Sequence, residues 1–472
     1  MGYCLAILLG EMGGSAGRRF VVFVTISRQK IFSIRRNLHI YYNKVRLRGG
    51  VRPDFSRHFA VRNLHRCERN SRPCDMKRYI LVHLTLLAAI GSTWALVGNP
   101  SKQAKTRSIT LIFLGDTLTP QLPLALFARL ASADAEHYNA LHDKMLRTDY
   151  APLIDYLDDY CVERRACDWC RYMLVRAVSE AAIPDTQSNE RIALQIFLLE
   201  RMGFDARAAQ QGRRLVMLLP FDGVVYERGY INIAGERFYI FEYGSAPDGY
   251  QPIALSDSAP RRALSIEIGA GFDSPPTTPI ALPLWSQYVG EEISVPISTA
   301  RIELMRQYPT TEKAPFHRAE IPAPIRNTLL PLLARHISTM SQLDAAEYLL
   351  GLVQHGFEFT SDSDLFGRHK QMTVEESLFY GRNNCKDRTL IYSWLVGELL
   401  GLRTVLIDYQ VDPRVESVGH VACGVEFSDN VAGTFITHHG AHFTICDPSY
   451  IDAPVGHPMP RYARWSMKVV EL

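Results

Sequence analysis

From residue 373 onward the hydrophobic period of the sequence changes once, and that change restricts the fold more than any other feature. "TVEESLFYGRNNCKDRTLIYSWLVGELLGL" carries apolar residues at three- and four-residue spacing, with a break near residues 382–384. "RTVLIDYQV", "HVACGVEF" and "AHFTICDPSYI" follow, each with strand character. A helix that buries one side and then feeds several strands describes an α+β protein. Leu390, Ile391, Trp394, Leu395 and Leu399 supply the buried side of that helix. Asn383 and Asn384 suit an N-cap, which puts Cys385 in the first helical turn.

A sulfur in a first turn meets the positive end of the helix dipole and unpaired backbone N–H groups. Both favour the thiolate, the reactive form. The same N–H groups can hold an oxyanion when a carbonyl is attacked. A nucleophile needs a base, and His420 opens the strand "HVACGVEF", with Ala422 and Gly424 on its face leaving room for a groove beside the imidazole. The imidazole needs an orienter, and Asp447 stands at the end of "AHFTICDPSY", where Pro448 stops the strand. Asp387, being negative, would oppose a nearby thiolate and takes no chemical role. Cys423 and Cys446 alternate away from His420 and Asp447 and read as buried core. Tyr380 and Trp394 read as packing residues.

"NNCKDRTLIYSWLVGELLGLRTVL", "GHVACGVEF" and "ICDPSYI" together resemble the three signature segments of the transglutaminase-like superfamily, whose catalytic domain is papain-like. "EYLLGLVQHGFEF", "DLFGRHKQ" and "EESLFYGRNNC" are similar to a bacterial branch with exported members. The resemblance covers residues 321–472. Asn-Asn-Cys stands where members often carry Gly-Asp-Cys. What it implies is acyl transfer from an amide of a peptide or protein through a thioester, with Cys385 attacking, His420 cycling the proton and Asp447 holding the imidazole. Gln354 is a second oxyanion donor by analogy with cysteine hydrolases that use a Gln. Hydrolysis by a peptidase or amidase is the expected outcome, and the chemistry calls for no cofactor and no metal. Two alternatives remain on the same residues: a protein-crosslinking transglutaminase, and a catalytically silent binding or scaffold module.

The N-terminus reads differently from the body. The first 75 residues hold 15 Lys and Arg against 4 Asp and Glu, so a chain of net charge +3 leaves its remainder at −8. An acidic body gives no electrostatic case for a nucleic-acid partner. "MKRYILVHLTLLAAIGSTWALVGNP" then has the layout of a secretory signal peptide over residues 76–95: Lys77 and Arg78, an apolar run, and Thr93 and Ala95 before a cleavage point. That layout places the natural start at Met76, residues 1–75 as a non-native or disordered basic extension, and the protein in the periplasm or outside the cell. No stable membrane insertion follows signal cleavage. The rival reading is a real basic arm ahead of a short membrane anchor.

Between signal and catalytic segment, residues 96–245 read as helices followed by strands, and residues 246–320 as a β-rich module with many prolines. "SNERIALQIFLLERMGFDARAA" shares its apolar rhythm and its closing glycine (Gly203 against Gly401) with the Cys385 segment. An internal repeat would make residues 96–245 a non-catalytic copy, although any two helix–strand units share such a rhythm. Cys161, Cys167 and Cys170 form a cluster without a fourth metal ligand and read as a structural disulfide or buried thiols. His438, His439 and His442 lie in "GTFITHHGAHF", read as a loop, with no carboxylate at ligand spacing, and are expected to be exposed or hydrogen-bonded.

Overall fold

Gly203 and Gly401 end the two long apolar helices, and both take left-handed backbone angles, φ 93° and 67°. Such angles cost glycine nothing, so the chain turns sharply from helix into sheet at each. The computed structural model describes residues 3–11, 19–27, 105–241, 249–254, 260–412, 414 and 419–471. Met1–Gly98 and Asn99–Leu472 are separate units. In the first, β1 (Tyr3–Glu11) and β2 (Arg19–Ser27) pair antiparallel, with Tyr3 opposite Ser27. Residues 1–75 read in the sequence as a non-native or disordered basic extension; β2, with Phe20, Val21, Val22, Phe23, Val24, Thr25 and Ile26, is rich in the β-branched and aromatic residues that suit a strand. Residues 76–95, read in the sequence as a signal peptide, lie outside the described residues.

The second unit begins with short hairpin strands and then four helices: α1 (Ala135–Leu146), α2 (Ala151–Glu163), α3 (Asp168–Ala182) and α4 (Ser188–Arg201). The apolar rhythm suggests a first helix from about residue 124, yet α1 starts at Ala135, where the Asp134 carboxylate accepts the His137 N–H at 3.0 Å. Strands β3 (Arg207–Gln211), β4 (Arg214–Pro220), β5 (Tyr230–Ile233), β6 (Glu236–Phe241) and β7 (Gln251–Pro252) follow, in the sheet order β7-β3-β4-β6-β5.

Residues 246–320 are not the β-rich module expected. Strands β8 (Thr278–Ala281) and β9 (Ser294–Ile297) pair around α5 (Pro283–Val289), and α6 (Thr299–Gln307) comes next. "RIELMRQYP", read as a strand, is helical because Ser298 caps it, accepting the Arg301 N–H, and because Ile302, Leu304 and Met305 reach the core together.

The last third contains α7 (Ala323–Ile337), α8 (Gln342–His355), the two-residue strand β10 (Glu358–Phe359), α9 (Val374–Tyr380), β11 (Arg382–Asn383) and α10 (Cys385–Leu400). Then come β12 (Arg403–Tyr409), β13 (His420–Glu426), β14 (Phe435–His438), β15 (Ala441–Cys446) and β16 (Met467–Glu471). Their sheet order is β16-β12-β13-β15-β14. The segment read as a loop before His442 is strand β14, joined to β15 by a tight turn at His439 and Gly440.

The two five-stranded sheets have the same plan. Each follows a glycine-terminated helix; its strands, counted along the chain, lie in the order fifth, first, second, fourth, third; and all neighbours are antiparallel. The register agrees as well. Tyr409 lies opposite His420 and Cys423 opposite Cys446, while Gln211 lies opposite Arg214 and Met217 opposite Phe241, at matching positions. Counting back from the glycines, Gln187 occupies the place of Cys385.

One hydrophobic core runs from Ile109 to Val455 through both halves, so the boundaries read at 245/246 and 320/321 fall inside a single unit. A second cluster, including Val405, Ile407, Tyr409, Ala422, Phe443, Ile445 and Tyr462, fills the other face of the second sheet. The fold is mixed α and β. Among the described residues no helix is long and apolar enough to cross a membrane.

Candidate active site

Cys385 is the first residue of α10 and is half-buried. Its helix is anchored from outside. Asp387 is fully buried; its carboxylate accepts the Met372 N–H and the Gln371 side-chain amide, both at 3.0 Å, and the Asn384 N–H at 3.4 Å. Burial pushes Asp387 up to about 6, opposed by the Lys386 cation and the Met372 N–H. Asn384 stands at the N-cap, but its side chain serves the flank, donating to Asp362 at 2.7 Å and accepting from Lys386 at 3.0 Å.

His420 and Asp447 arrive from neighbouring strands. His420 opens β13, and Asp447 follows the last residue of β15, so both reach the same end of the sheet. Their Nε2 to Oδ2 distance is 2.7 Å, with 4% and 0% of the two side chains exposed. The other carboxylate oxygen of Asp447 accepts from the Ser449 N–H at 3.1 Å and the Ser449 hydroxyl at 2.9 Å. The Cys385 thiol interacts favourably with the cationic form of His420. With Nε2 committed to Asp447, Nδ1 is the nitrogen left for sulfur. The structure brings Cys385, His420 and Asp447 together, in the arrangement a nucleophile, base and orienter would require.

Burial opposes charge on His420, but the hydrogen bonds to Asp447 and Cys385 more than offset it and hold the imidazole up at about 9. An ordinary histidine titrates near about 6.5. Stability contributed by this pair is present in full below that value and is lost as pH rises through about 9. The loss should amount to roughly 3 kcal/mol, read from urea denaturation on either side of the window. His420→Ala should remove this slope, and parallel pH profiles for the two proteins would contradict the assignment.

Gln354 does not fill the role expected of it. Its side-chain amide, on α8, donates to the carbonyls of Asp447, Tyr450 and Ala453 at 3.1, 2.8 and 3.0 Å. Both amide hydrogens are engaged by the turn that follows Asp447, so neither is free for an oxyanion. Gln354 positions the orienter instead. The expected groove beside His420 is also filled. Ala422 faces the second core cluster, and a Cβ on Gly424 would come within 2.8 Å of Val405 Cγ2 and 3.0 Å of Phe443 Cβ.

Three residues around the triad escaped the sequence reading. Arg388, one turn after Cys385, is 2% exposed and electrostatically coupled to Cys385 and Asp387. It donates to Asn383 Oδ1 at 3.0 Å, the Gln354 carbonyl at 3.1 Å and the Phe357 carbonyl at 2.8 Å. Arg388 thus joins the Cys385 helix to α8, and Gln354 joins α8 to Asp447. Tyr462 stacks on the His420 ring at 4.3 Å and 10°, and Tyr409 lies against it at 5.4 Å. A charged residue inside an apolar helix face was the available signal for Arg388; nothing local marks Tyr462.

The other candidates are structural. Cys423 and Cys446 are buried and opposite one another. Tyr380 packs edge-on against Phe366 and Phe379. Trp394, on the same helix as Cys385, lines a cavity of about 220 Å³ with Phe316, His317 and Glu375. Cys161, Cys167 and Cys170 are free thiols, and burial pushes Cys161 up to about 12 and Cys167 up to about 11, away from redox reactivity. A scan against protein-family models and a search of curated proteins each return no match to this chain.

Proposed function

We propose that the chain is an exported cysteine hydrolase of the transglutaminase-like kind, acting on amide bonds of peptides or proteins. The observation that carries this reading is the buried 2.7 Å contact between His420 Nε2 and Asp447, with Cys385, at a helix start, interacting with the same imidazole. Cys385 attacks the amide carbonyl and the backbone N–H groups of the first turn receive the oxyanion. His420 delivers its proton to the departing amine as the thioester forms. It then draws a proton from the water that hydrolyses the thioester, releasing the acid and restoring the thiol. Asp447 keeps the ring oriented and stabilises its cationic form. An amine in place of water would make the product a crosslink. Residues 76–95 support export by their layout. The first sheet is then a non-catalytic copy, since Gln187 and Arg214 stand where Cys385 and His420 stand in the second.

Iodoacetamide labelling of the full chain, followed by peptide mapping, tests the pair directly. Below the pH at which a free thiol ionises, about 8.5, Cys385 should be alkylated far ahead of the buried cysteines, and His420→Ala should remove that advantage. Equal labelling in both proteins would end the enzyme reading and leave the binding module. With a reactive pair in hand, release of acid without uptake of a labelled amine separates hydrolysis from crosslinking.

A further inference from the structure

Strands β14 and β16 are opposite edges of the second sheet, yet their ends meet. The sheet coils until His438, which closes β14, lies against Glu471, which closes β16, with Nε2 and Oε1 3.2 Å apart. His439 follows in the turn at φ 48°, and its Nε2 lies 3.5 Å from the same oxygen. The two imidazole planes diverge by 56°. One ligand atom from each of the three residues falls within 4.8 Å of the others. The sequence shows no carboxylate near these histidines; only the coiling of the sheet delivers one.

We propose that His438, His439 and Glu471 bind a divalent transition-metal ion of the zinc type. Two imidazoles and one carboxylate are a donor set that zinc favours, whereas calcium and magnesium demand more oxygen ligands. Ligands about 2.0–2.1 Å from a tetrahedral zinc ion stand roughly 3.4 Å from one another. The 3.2 and 3.5 Å separations from Glu471 bracket that value. His439 and Glu471 are exposed, which gives the ion an approach and leaves the fourth position to water. His442 is not part of the set, because its ring stacks on Phe435 at 4.7 Å and 9°. The ion would clamp the two edges of the sheet whose middle strand carries His420. The site stands independently of any activity at Cys385.

The test is calorimetric titration of zinc chloride into the full chain carrying Cys385→Ser, so that the half-buried thiol supplies no ligand. One equivalent should bind. His438→Ala, His439→Ala and Glu471→Gln should each weaken binding at least as much as the roughly 10–100-fold lost on outer-shell substitutions at metal sites, and His442→Ala should bind like its parent. Without any of these substitutions, zinc should also slow diethyl pyrocarbonate modification of His438 and His439 but not of His442. Absence of saturable binding overturns the proposal, as does binding unchanged in the three variants. Binding that needs both histidines but not Glu471 overturns it too, because the ion would then sit on one hairpin and join no edges.

Discussion

Asp447→Asn should slow acylation of Cys385 by about 10³–10⁴-fold while leaving the fold in place, the order of loss seen when a triad carboxylate becomes an amide. Both carboxylate oxygens are in use: one accepts from Ser449 twice, the other from His420. An asparagine has a single acceptor oxygen. The Ser449 backbone N–H cannot turn away, so it keeps that oxygen and the amide nitrogen faces the imidazole. Nε2 must then accept, and the ring's only proton moves to Nδ1, on the side of the sulfur. A ring in that tautomer cannot take the thiol proton, and it has lost the anion that stabilised its charge. Burst release from an activated aryl ester would report the rate, and the circular dichroism spectrum would report the fold. Acylation within about tenfold of wild type, a loss of about 1.4 kcal/mol, would remove Asp447 from the mechanism.

Arg388→Met should cost stability on the scale of several buried oxygens left without donors, about 3–5 kcal/mol. The substitution removes donors to Asn383, Gln354 and Phe357. Each buried oxygen left without a partner costs about 1–3 kcal/mol. The relief of no longer burying a cation offsets part of this, and burial already holds Arg388 below its ordinary range. Arg388→Lys should fall between the two, because an ammonium on a straight stem cannot reach all three oxygens in the guanidinium's planar fan. Urea midpoints measure both variants. A methionine variant within about 0.5 kcal/mol of wild type, the range of ordinary surface changes, would show that the buried cation holds nothing in place.

The contrast between Cys385 and Arg388 explains how much of this protein can be read from its sequence. Cys385, His420 and Asp447 each sit where an element begins or ends. Local chemistry marks such places: Asn384 before the helix, Gly401 after it, Pro448 beyond the strand. The rhythm shared by residues 188–203 and 386–401 was legible for the same reason, and the common strand order now gives it weight. What stayed hidden depends on distant partners. Gln354 was assigned to an oxyanion, and its three carbonyl partners lie about a hundred residues away in the chain. The short helices α5 and α6 fall among prolines, where neither period has room to show itself. Strand β14 was hidden by His438 and by the His439 and Gly440 that follow it, residues that read as a turn.

The single core has a consequence for the end of the molecule that holds Cys385. Leu194, Phe197 and Leu198 on α4 belong to the same apolar cluster as Leu390, Ile391 and Leu395 on α10. Neither half can shed the other without presenting that surface to water. The half that carries Gln187 in place of Cys385 therefore acts as ballast for the half that holds Cys385, His420 and Asp447. Natural variation at Phe197 would be felt as a smaller supply of working Cys385 rather than as a slower one, and its signature in a cell would be abundance.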